Sequence, residues 1–401
     1  MRRWARLLVV VSFAASCTSS PEAAETTDGS VGTTTVTTTR TITPVRVEQA
    51  DDGVWSVYEF DVLEPRLGMG AVITDGDYLF LWGGAREGVG TLYNDGALID
   101  LSTGSVSIVS PAPLDPRLFV SVVWTGAEFI VFGGQDFAFG AFADGAAYDP
   151  ATMTWRLLPE APVTAASHAT ATFVSGAMYV WLPSYNAPYG GIPRESFGQF
   201  ARYRPDTDTW DLLPSPPELG HTARLLGLGG EPLLVMGPQL LDYGTPTARR
   251  WGITAIAFDS DRDLWLTPVT GRHAADAAAA VVMEGSVVVL LVDGTVITLS
   301  DDAWTQTASI APDCPLSINA AAGADRAYFV LCGAMHVGQH GDIRLLPLPE
   351  SLTDPERPLI LCCGGVLEAT NDGSLVVLGW EGPAGTGQPF EVNILVIYSP
   401  R

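Results

Sequence analysis

The chain is 401 residues long and carries a formal net charge of −24 at pH 7, with 47% apolar residues. Such an acidic chain is a poor partner for nucleic acids, because proteins that bind them neutralise phosphates with basic side chains. All 21 basic residues are arginine, which excludes chemistry that needs a lysine, such as a Schiff base or a P-loop.

The first 17 residues have the pattern of an export signal. A basic start at residues 2–6 precedes an apolar run at 7–15, which is too short to cross a bilayer as a helix. The following Ala14-Ala15-Ser16-Cys17 resembles the lipobox of bacterial lipoproteins, in which the cysteine receives diacylglycerol and becomes the first residue after cleavage. The resemblance implies an extracytoplasmic protein that Cys17 anchors to the cell membrane. The alternative is an ordinary signal peptide with an unmodified cysteine nearby.

Residues 18–50 are predicted to be a disordered linker. The segment 33–39 is threonine except for one valine, and such low-complexity sequence buries too little apolar surface to offset the entropy of folding. As a flexible coil the linker spans roughly 30 Å, at ~5–6 Å × √n. We therefore expect a folded domain of residues 51–401 that is held off the membrane.

A unit of about 50 residues recurs along this domain. Each copy has a strongly apolar strand that often ends in Gly-Gly, a later strand that ends near Tyr-Asp, and a tryptophan strand followed by Leu-Pro. The clearest copy contains Gly133-Gly134, Tyr148-Asp149 and Trp155. The apolar strand reads as a continuous run, which is typical of a strand that neighbouring layers cover on both faces.

This unit resembles the Kelch repeat, which forms one blade of a β-propeller. The resemblance places the chain with the propellers related to the central domain of galactose oxidase. It implies an all-β fold, a seven-bladed β-propeller of four-stranded antiparallel blades. The last copy ends at residues 394–400 without a tryptophan strand, and residues 54–58 are a tryptophan strand without a preceding unit. We therefore expect residues 54–60 to close the ring as the outer strand of the last blade, which hides both sheet edges.

The cysteines beyond Cys17 lie in the last two predicted blades. Cys314 and Cys332 fall on adjacent strands on either side of a turn, and export permits a disulfide between them. Cys362 and Cys363 are neighbours in sequence, and free thiols or a bond to the sixth blade remain alternatives. The chain has no Cys-x-x-Cys pair, and we expect neither a metal nor a cofactor.

Basic side chains recur where the first strand of successive blades begins. They are Arg66, Arg117, His168, His221 and Arg224. One interpretation is a ligand site for an anion or a sugar at one mouth of the central channel. The alternative is that arginine and histidine belong to the repeat itself and tie the blade entrances together by hydrogen bonds.

The insertions richest in aromatic residues form a second candidate surface. They span residues 135–142 and 184–200, and the latter contains Tyr185, Tyr189 and Arg194. Surface aromatics beside arginine are typical of binding hot spots, and long loops on rigid scaffolds often carry function. The alternative is that the fold merely tolerates these insertions.

The leading hypothesis is a monomeric, non-enzymatic propeller that binds a protein or an envelope glycan through the loops around the channel mouth. The chain lacks a Gly-x-Ser-x-Gly nucleophile elbow, and many aspartates fall at turn positions of the repeat, where they cap the backbone. The competing hypothesis is a carbohydrate-active hydrolase or oxidase with its site at the channel mouth. The signature of such a hydrolase is two carboxylates ~5–9.5 Å apart across a pocket.

Overall fold

The structure, a computed structural model, describes most of the repeat region. It describes residues 39–86, 90–166, 169–183, 198–217, 223–237, 252–273, 277–291, 293–310, 318–322, 325–331, 334–339, 342–353, 359–360, 366–381 and 392–401. No helix in this part of the chain is long and apolar enough to cross a membrane.

Seven antiparallel sheets form a ring, which confirms the predicted seven-bladed β-propeller. The innermost strand of each blade contacts the innermost strands of the two neighbouring blades, and that of blade 7 contacts that of blade 1. The apolar second strands are buried along nearly their whole length, as expected where neighbouring blades cover both faces of a sheet.

The strands of each blade are given from the innermost outward. Blade 1 contains Gly70–Ile73, Tyr78–Trp82, Gly96–Asp100 and Ser105–Val109; blade 2 contains Ser121–Trp124, Phe129–Phe132, Gly145–Asp149 and Thr154–Leu157; blade 3 contains Thr170–Val174, Ala177–Leu182, Gln199–Arg204 and Thr209–Leu213. Blade 4 contains Ala223–Leu228, Glu231–Met236 and Thr254–Asp259, with Leu264–Trp265 and Val269–Thr270 on its outer edge.

The remaining blades follow the same plan. Blade 5 contains Ala277–Met283, Ser286–Leu291, Thr295–Ser300 and Ala303–Ser309; blade 6 contains Ile318–Ala322, Ala327–Leu331, Ala334–Gln339 and Asp342–Leu346; blade 7 contains Leu359–Ile360 and Val366–Ala369, then Leu375–Glu381, Val392–Pro400 and Gly53–Phe60. A small hairpin, Ala85–Arg86 with Thr91–Leu92, and a 3-10 helix, Glu350–Leu352, lie in connections between strands.

The ring closes as predicted. Gly53–Phe60 pairs along its whole length with the C-terminal strand Val392–Pro400, and Trp55 lies opposite Tyr398 in the register. The first and last strands of the ring therefore share one blade, and each covers a sheet edge of the other.

The N-terminal segment differs from the disordered linker expected up to residue 50. Thr39–Thr41 pairs with the outer strand of blade 1, and Arg46–Ala50 pairs with Gly53–Phe60 of blade 7. Between them, the Ile42 amide donates to the Gly104 carbonyl at 2.8 Å. Threonine-rich composition indicated disorder, but threonine is β-branched and suits a strand. The outer edges of the two blades supply unpaired backbone groups for it to join.

The core lies between blades and not within a single layer. The described residues form seven hydrophobic clusters, and each cluster combines side chains of two neighbouring blades. Outer-strand tryptophans reinforce these junctions with a hydrogen bond to the preceding blade. The indole donors and carbonyl acceptors are Trp155 to Ser110 at 2.8 Å, Trp210 to Pro159 at 3.1 Å, Trp265 to Pro214 at 2.7 Å and Trp304 to Val269 at 2.9 Å.

Candidate functional site on the mouth face

Two kinds of connection leave each blade at the same end of the ring. They are the links between second and third strands and the links from an outer strand to the next blade, because strand direction alternates within a blade. We call this end the mouth face. The opposite end carries the short hairpins between first and second strands, such as Ser175-Gly176 in blade 3.

Arg66 lies at the mouth face, buried inside blade 1. Its side chain is only 2% exposed. Nη1 donates to the Asp95 carboxylate at 2.6 Å and to the Gly83 carbonyl at 3.3 Å. The guanidinium also lies 3.7 Å from the centre of the Tyr93 ring. This arginine joins the start of the first strand to the link between the second and third strands.

Arg117 repeats this arrangement in blade 2. Its side chain is fully buried, and Nη1 donates to Asp144 at 2.5 Å and to the Gly133 carbonyl at 3.2 Å. The guanidinium lies 3.8 Å from the centre of the Phe142 ring. The two arginines therefore have equivalent contacts within their own blades, which supports the interpretation that they tie the blade entrances together.

Arg224 occupies a different place in the repeat. It lies on the first strand of blade 4, opposite Val235, whereas Arg66 and Arg117 precede the first strands of their blades. Its side chain is exposed to solvent, and Nη1 donates to the Ala223 carbonyl at 3.0 Å. The three arginines therefore do not form one ring of ligands.

Several predicted site residues lie outside the described part of the chain. They are Cys17, His168, Tyr185, Tyr189, Arg194, His221, Cys314 and Cys332.

Glu368 is a candidate that sequence reasoning missed. It lies on the innermost strand of blade 7 opposite Val376, which is fully buried at the junction with blade 1. Cross-strand partners share one face of a sheet, so Glu368 faces the same junction. Burial raises the pKa of its carboxyl to about 8. The sequence does contain a signal for this residue, because a charge is rare on the innermost strands. Within the described innermost strands, Arg224 and Glu368 are the only charged residues.

Three exposed phenylalanines form the second candidate, which we call the phenylalanine patch. Phe119 is 39% exposed, Phe137 47% and Phe139 78%. All three follow residues joined by isolated β-bridges at the mouth face, in which Gln135 pairs with both Leu118 and Ala141. Phe137 and Phe139 belong to the aromatic insertion at 135–142 that the sequence analysis described.

The backbone holds two of these rings in an unusual conformation. Phe119 has φ 57° and Phe139 has φ 62°, in the left-handed region that a bulky residue rarely adopts. The position of blade 1 that corresponds to Phe119 is Gly68, with φ 67°. Asp136 secures the turn around Phe139 by accepting a hydrogen bond from the Gly140 amide at 2.7 Å. At this position blade 2 thus has a partly exposed phenylalanine where blade 1 has a glycine.

The described residues contain no group of three histidine, cysteine or acidic side chains that could hold a metal ion. Comparison with models of known protein families gave no match, and comparison with curated proteins gave none.

Proposed function

We propose that the protein is a bacterial lipoprotein, anchored outside the cell membrane through Cys17, whose Kelch-like propeller binds a partner protein through its mouth face. The observation that carries this proposal is the phenylalanine patch. The family assignment and the anchor rest on the repeat and the lipobox-like sequence. The propeller fold supplies the rigid scaffold that such a binding surface needs.

The patch has the properties of a binding surface. Exposed aromatic side chains on a rigid base provide contact area at a low cost in conformational entropy. Residues held in rarely populated backbone conformations tend to occur at functional sites, where strain is retained for its effect. Phe119 and Phe139 combine both properties on one face of blade 2.

The charges around the patch favour a basic partner. Asp115 is exposed, Asp136 is half-buried, and the Asp144 side chain remains 54% exposed although it contacts Arg117. With a net charge of −24 on the whole chain, a partner segment with apolar side chains flanked by arginine or lysine is complementary in polarity and charge. We therefore favour a protein over a neutral envelope glycan as the partner.

The competing enzyme hypothesis has one observation in its favour. A carboxyl with a pKa of about 8, such as that of Glu368, is suited to donate a proton near neutral pH. Hydrolysis of a glycoside, however, generally uses a second carboxylate within ~5–9.5 Å. Glu368 is the only carboxylate on the described innermost strands, so we place the binding function first.

The binding function is tested by capture from an envelope extract. The mature chain is immobilised through a C-terminal tag, and the bound fraction is analysed for both proteins and glycans. The variant Phe137→Ser/Phe139→Asn removes two rings, and asparagine tolerates the left-handed conformation at 139. We expect a protein that the wild type captures to be reduced at least about tenfold, as for the loss of a hot spot.

The matched control is Leu212→Ser, because Leu212 is 60% exposed on the outer edge of blade 3. Its capture of the partner should equal that of the wild type. Equal loss in both variants, or capture of a glycan alone, would contradict the proposal.

The anchor is tested by replacing the predicted acceptor. Cys17→Ser removes the sulfur that would carry the lipid, so we expect the protein to leave the membrane fraction and the detergent phase. Ser16→Ala keeps a small residue before the cysteine and should remain membrane-bound. A Cys17→Ser protein that still partitions with the membrane would exclude Cys17 as the anchor.

A further inference from the structure

A cleft of about 200 Å³ lies between blades 5 and 6. Its walls include Val288, Thr298 and Thr307 from blade 5, and Ala327, Gly338 and Ile343 from blade 6. It also reaches Glu284 at the first hairpin of blade 5, so it lies toward the end of the ring opposite the mouth face. It is therefore separate from the phenylalanine patch.

The junction between blades 1 and 2 shows how the repeat usually fills this space. Phe80 of blade 1 stacks on Phe129 of blade 2 with ring centres 4.4 Å apart. In blade 2, Tyr148 lies opposite Trp155, and their ring centres are 5.1 Å apart. These rings occupy the space between the two sheets near the rim.

Register identifies the same positions at the junction between blades 5 and 6. Tyr148 pairs with both Phe129 and Trp155, and in blade 6 Gly338 pairs with both Ala327 and Ile343. Glycine, alanine and isoleucine thus replace tyrosine, phenylalanine and tryptophan. On the facing blade, Val288 replaces Phe80, since each is the third residue of its second strand.

Three other junctions keep an aromatic pair at these positions, whereas at the junction between blades 4 and 5 Leu299 lies opposite Trp304. The pairs and the distances between their ring centres are Tyr203 and Trp210 at 5.1 Å, Phe258 and Trp265 at 5.1 Å, and Tyr398 and Trp55 at 4.7 Å. The cleft is therefore the space of a missing pair of aromatic side chains.

The junction between blades 7 and 1 shows that the chain fills such a space when it can. There the corresponding pair is aliphatic, Ile99 opposite Val106. The N-terminal segment adds Ile42, which packs against the same hydrophobic cluster. At the junction between blades 5 and 6, the described residues provide no comparable insertion, and the cleft opens to solvent.

We propose that this cleft is a binding site for an aromatic ring that carries a hydrogen-bonding group, such as an indole or a phenol. Its apolar walls suit the ring, since an apolar cavity of about 150 Å³ is sufficient to bind benzene. The hydroxyls of Thr298 and Thr307, 3.1 Å apart, and Ser286 lie in its lining and can bond the polar group. The ring comes either from a small molecule or from a tyrosine or tryptophan side chain of a partner.

The site is tested by titrating indole and phenol into the full mature protein by isothermal calorimetry, with unfolding temperature as a second readout. We expect saturable binding and a rise in Tm that increases with ligand concentration. The variant Gly338→Tyr/Ile343→Trp restores the aromatic pair of the repeat and should abolish the binding signal. Leu345→Trp is the control, because it adds the same ring at a position of the same strand that is 55% exposed, and it should bind as the wild type does.

Misfolding of Gly338→Tyr/Ile343→Trp would also abolish the binding signal, so a second measurement uses the wild-type protein. Nuclear Overhauser contacts from indole protons to the methyl groups of Val288 and Ile343 would place the ring in the cleft. The source of the ring is distinguished by N-acetyltryptophanamide, which carries indole on a blocked backbone. Its binding supports a partner side chain, whereas binding of free indole alone supports a small molecule. Absence of saturable binding, or contacts elsewhere on the protein, would overturn the proposal.

Discussion

Arg117 illustrates, at the scale of single residues, how a residue type common in ligand sites can belong to the scaffold. Its position before a first strand was visible in the sequence, and both a ligand site and a tie between strands agreed with it. The choice depends on Asp144 and the Gly133 carbonyl, and the sequence does not place these beside the guanidinium. Glu368 was missed for a related reason: its environment comes from blade 1, which is hundreds of residues earlier in the chain.

Glu368 makes a prediction about pH. Burial raises the pKa of its carboxyl from 4.5 to about 8, so between these values the unfolded chain loses a proton that the folded chain keeps. Stability therefore falls as pH rises through this window, by at most about 1.4 kcal/mol per pH unit. Access of water to the half-buried side chain reduces the slope. Urea unfolding at pH 5 and pH 8 should show the loss in the wild type and a smaller loss in Glu368→Gln.

The control for this prediction is Glu284→Gln, which removes an exposed carboxylate from the first hairpin of blade 5. It should keep the wild-type pH dependence. An unchanged pH dependence in Glu368→Gln would show that this carboxyl is ionised in the folded protein at neutral pH.

At the scale of elements, the two strands of the N-terminal segment show that composition alone does not predict strands that form on the edge of another sheet. The repeat predicted the blades and their closure because each copy carries the same apolar strand and the same rim residues. Thr39–Thr41 and Arg46–Ala50 carry no such signal. Their strand conformation depends on the outer edges of blades 1 and 7, which are formed by segments distant in sequence. The phenylalanine patch likewise depends on β-bridges that join Leu118 to the insertion at 135–142.

This segment makes a prediction about stability. A chain that begins at residue 39 retains both added strands and the packing of Ile42 between blades 7 and 1, whereas a chain that begins at residue 51 loses them. Burial of an isoleucine side chain contributes up to about 1.5–3 kcal/mol, and Ile42 is half-buried. We expect the shorter chain to be less stable by at least about 1 kcal/mol, measured as a lower midpoint of urea unfolding. Equal midpoints would mean that the segment contacts the blades without adding to the free energy of unfolding.

In the whole molecule, the core consists of seven junctions between neighbouring blades. The junctions that depart from the packing of the repeat are the ones that point to special features of this chain. Most junctions repeat a tryptophan and an aromatic partner, and the sequence predicted this packing well because it recurs. The exceptions are the junction between blades 4 and 5, where Leu299 lies opposite Trp304, the junction between blades 7 and 1, which Ile42 supplements, and the cleft between blades 5 and 6. The register of the strands shows which residues occupy equivalent positions at these junctions.

The central claim for the whole molecule is that the mouth face, and not the rim, meets a partner protein in the cell envelope. The most direct measurement is photo-crosslinking in intact cells, with benzoylphenylalanine at position 137 of the full chain or at position 212 on the rim. We predict a discrete protein adduct from position 137 that disappears when the same protein also carries Phe139→Asn. We predict no such adduct from position 212. The same adduct from both positions, or adducts from position 212 alone, would contradict it.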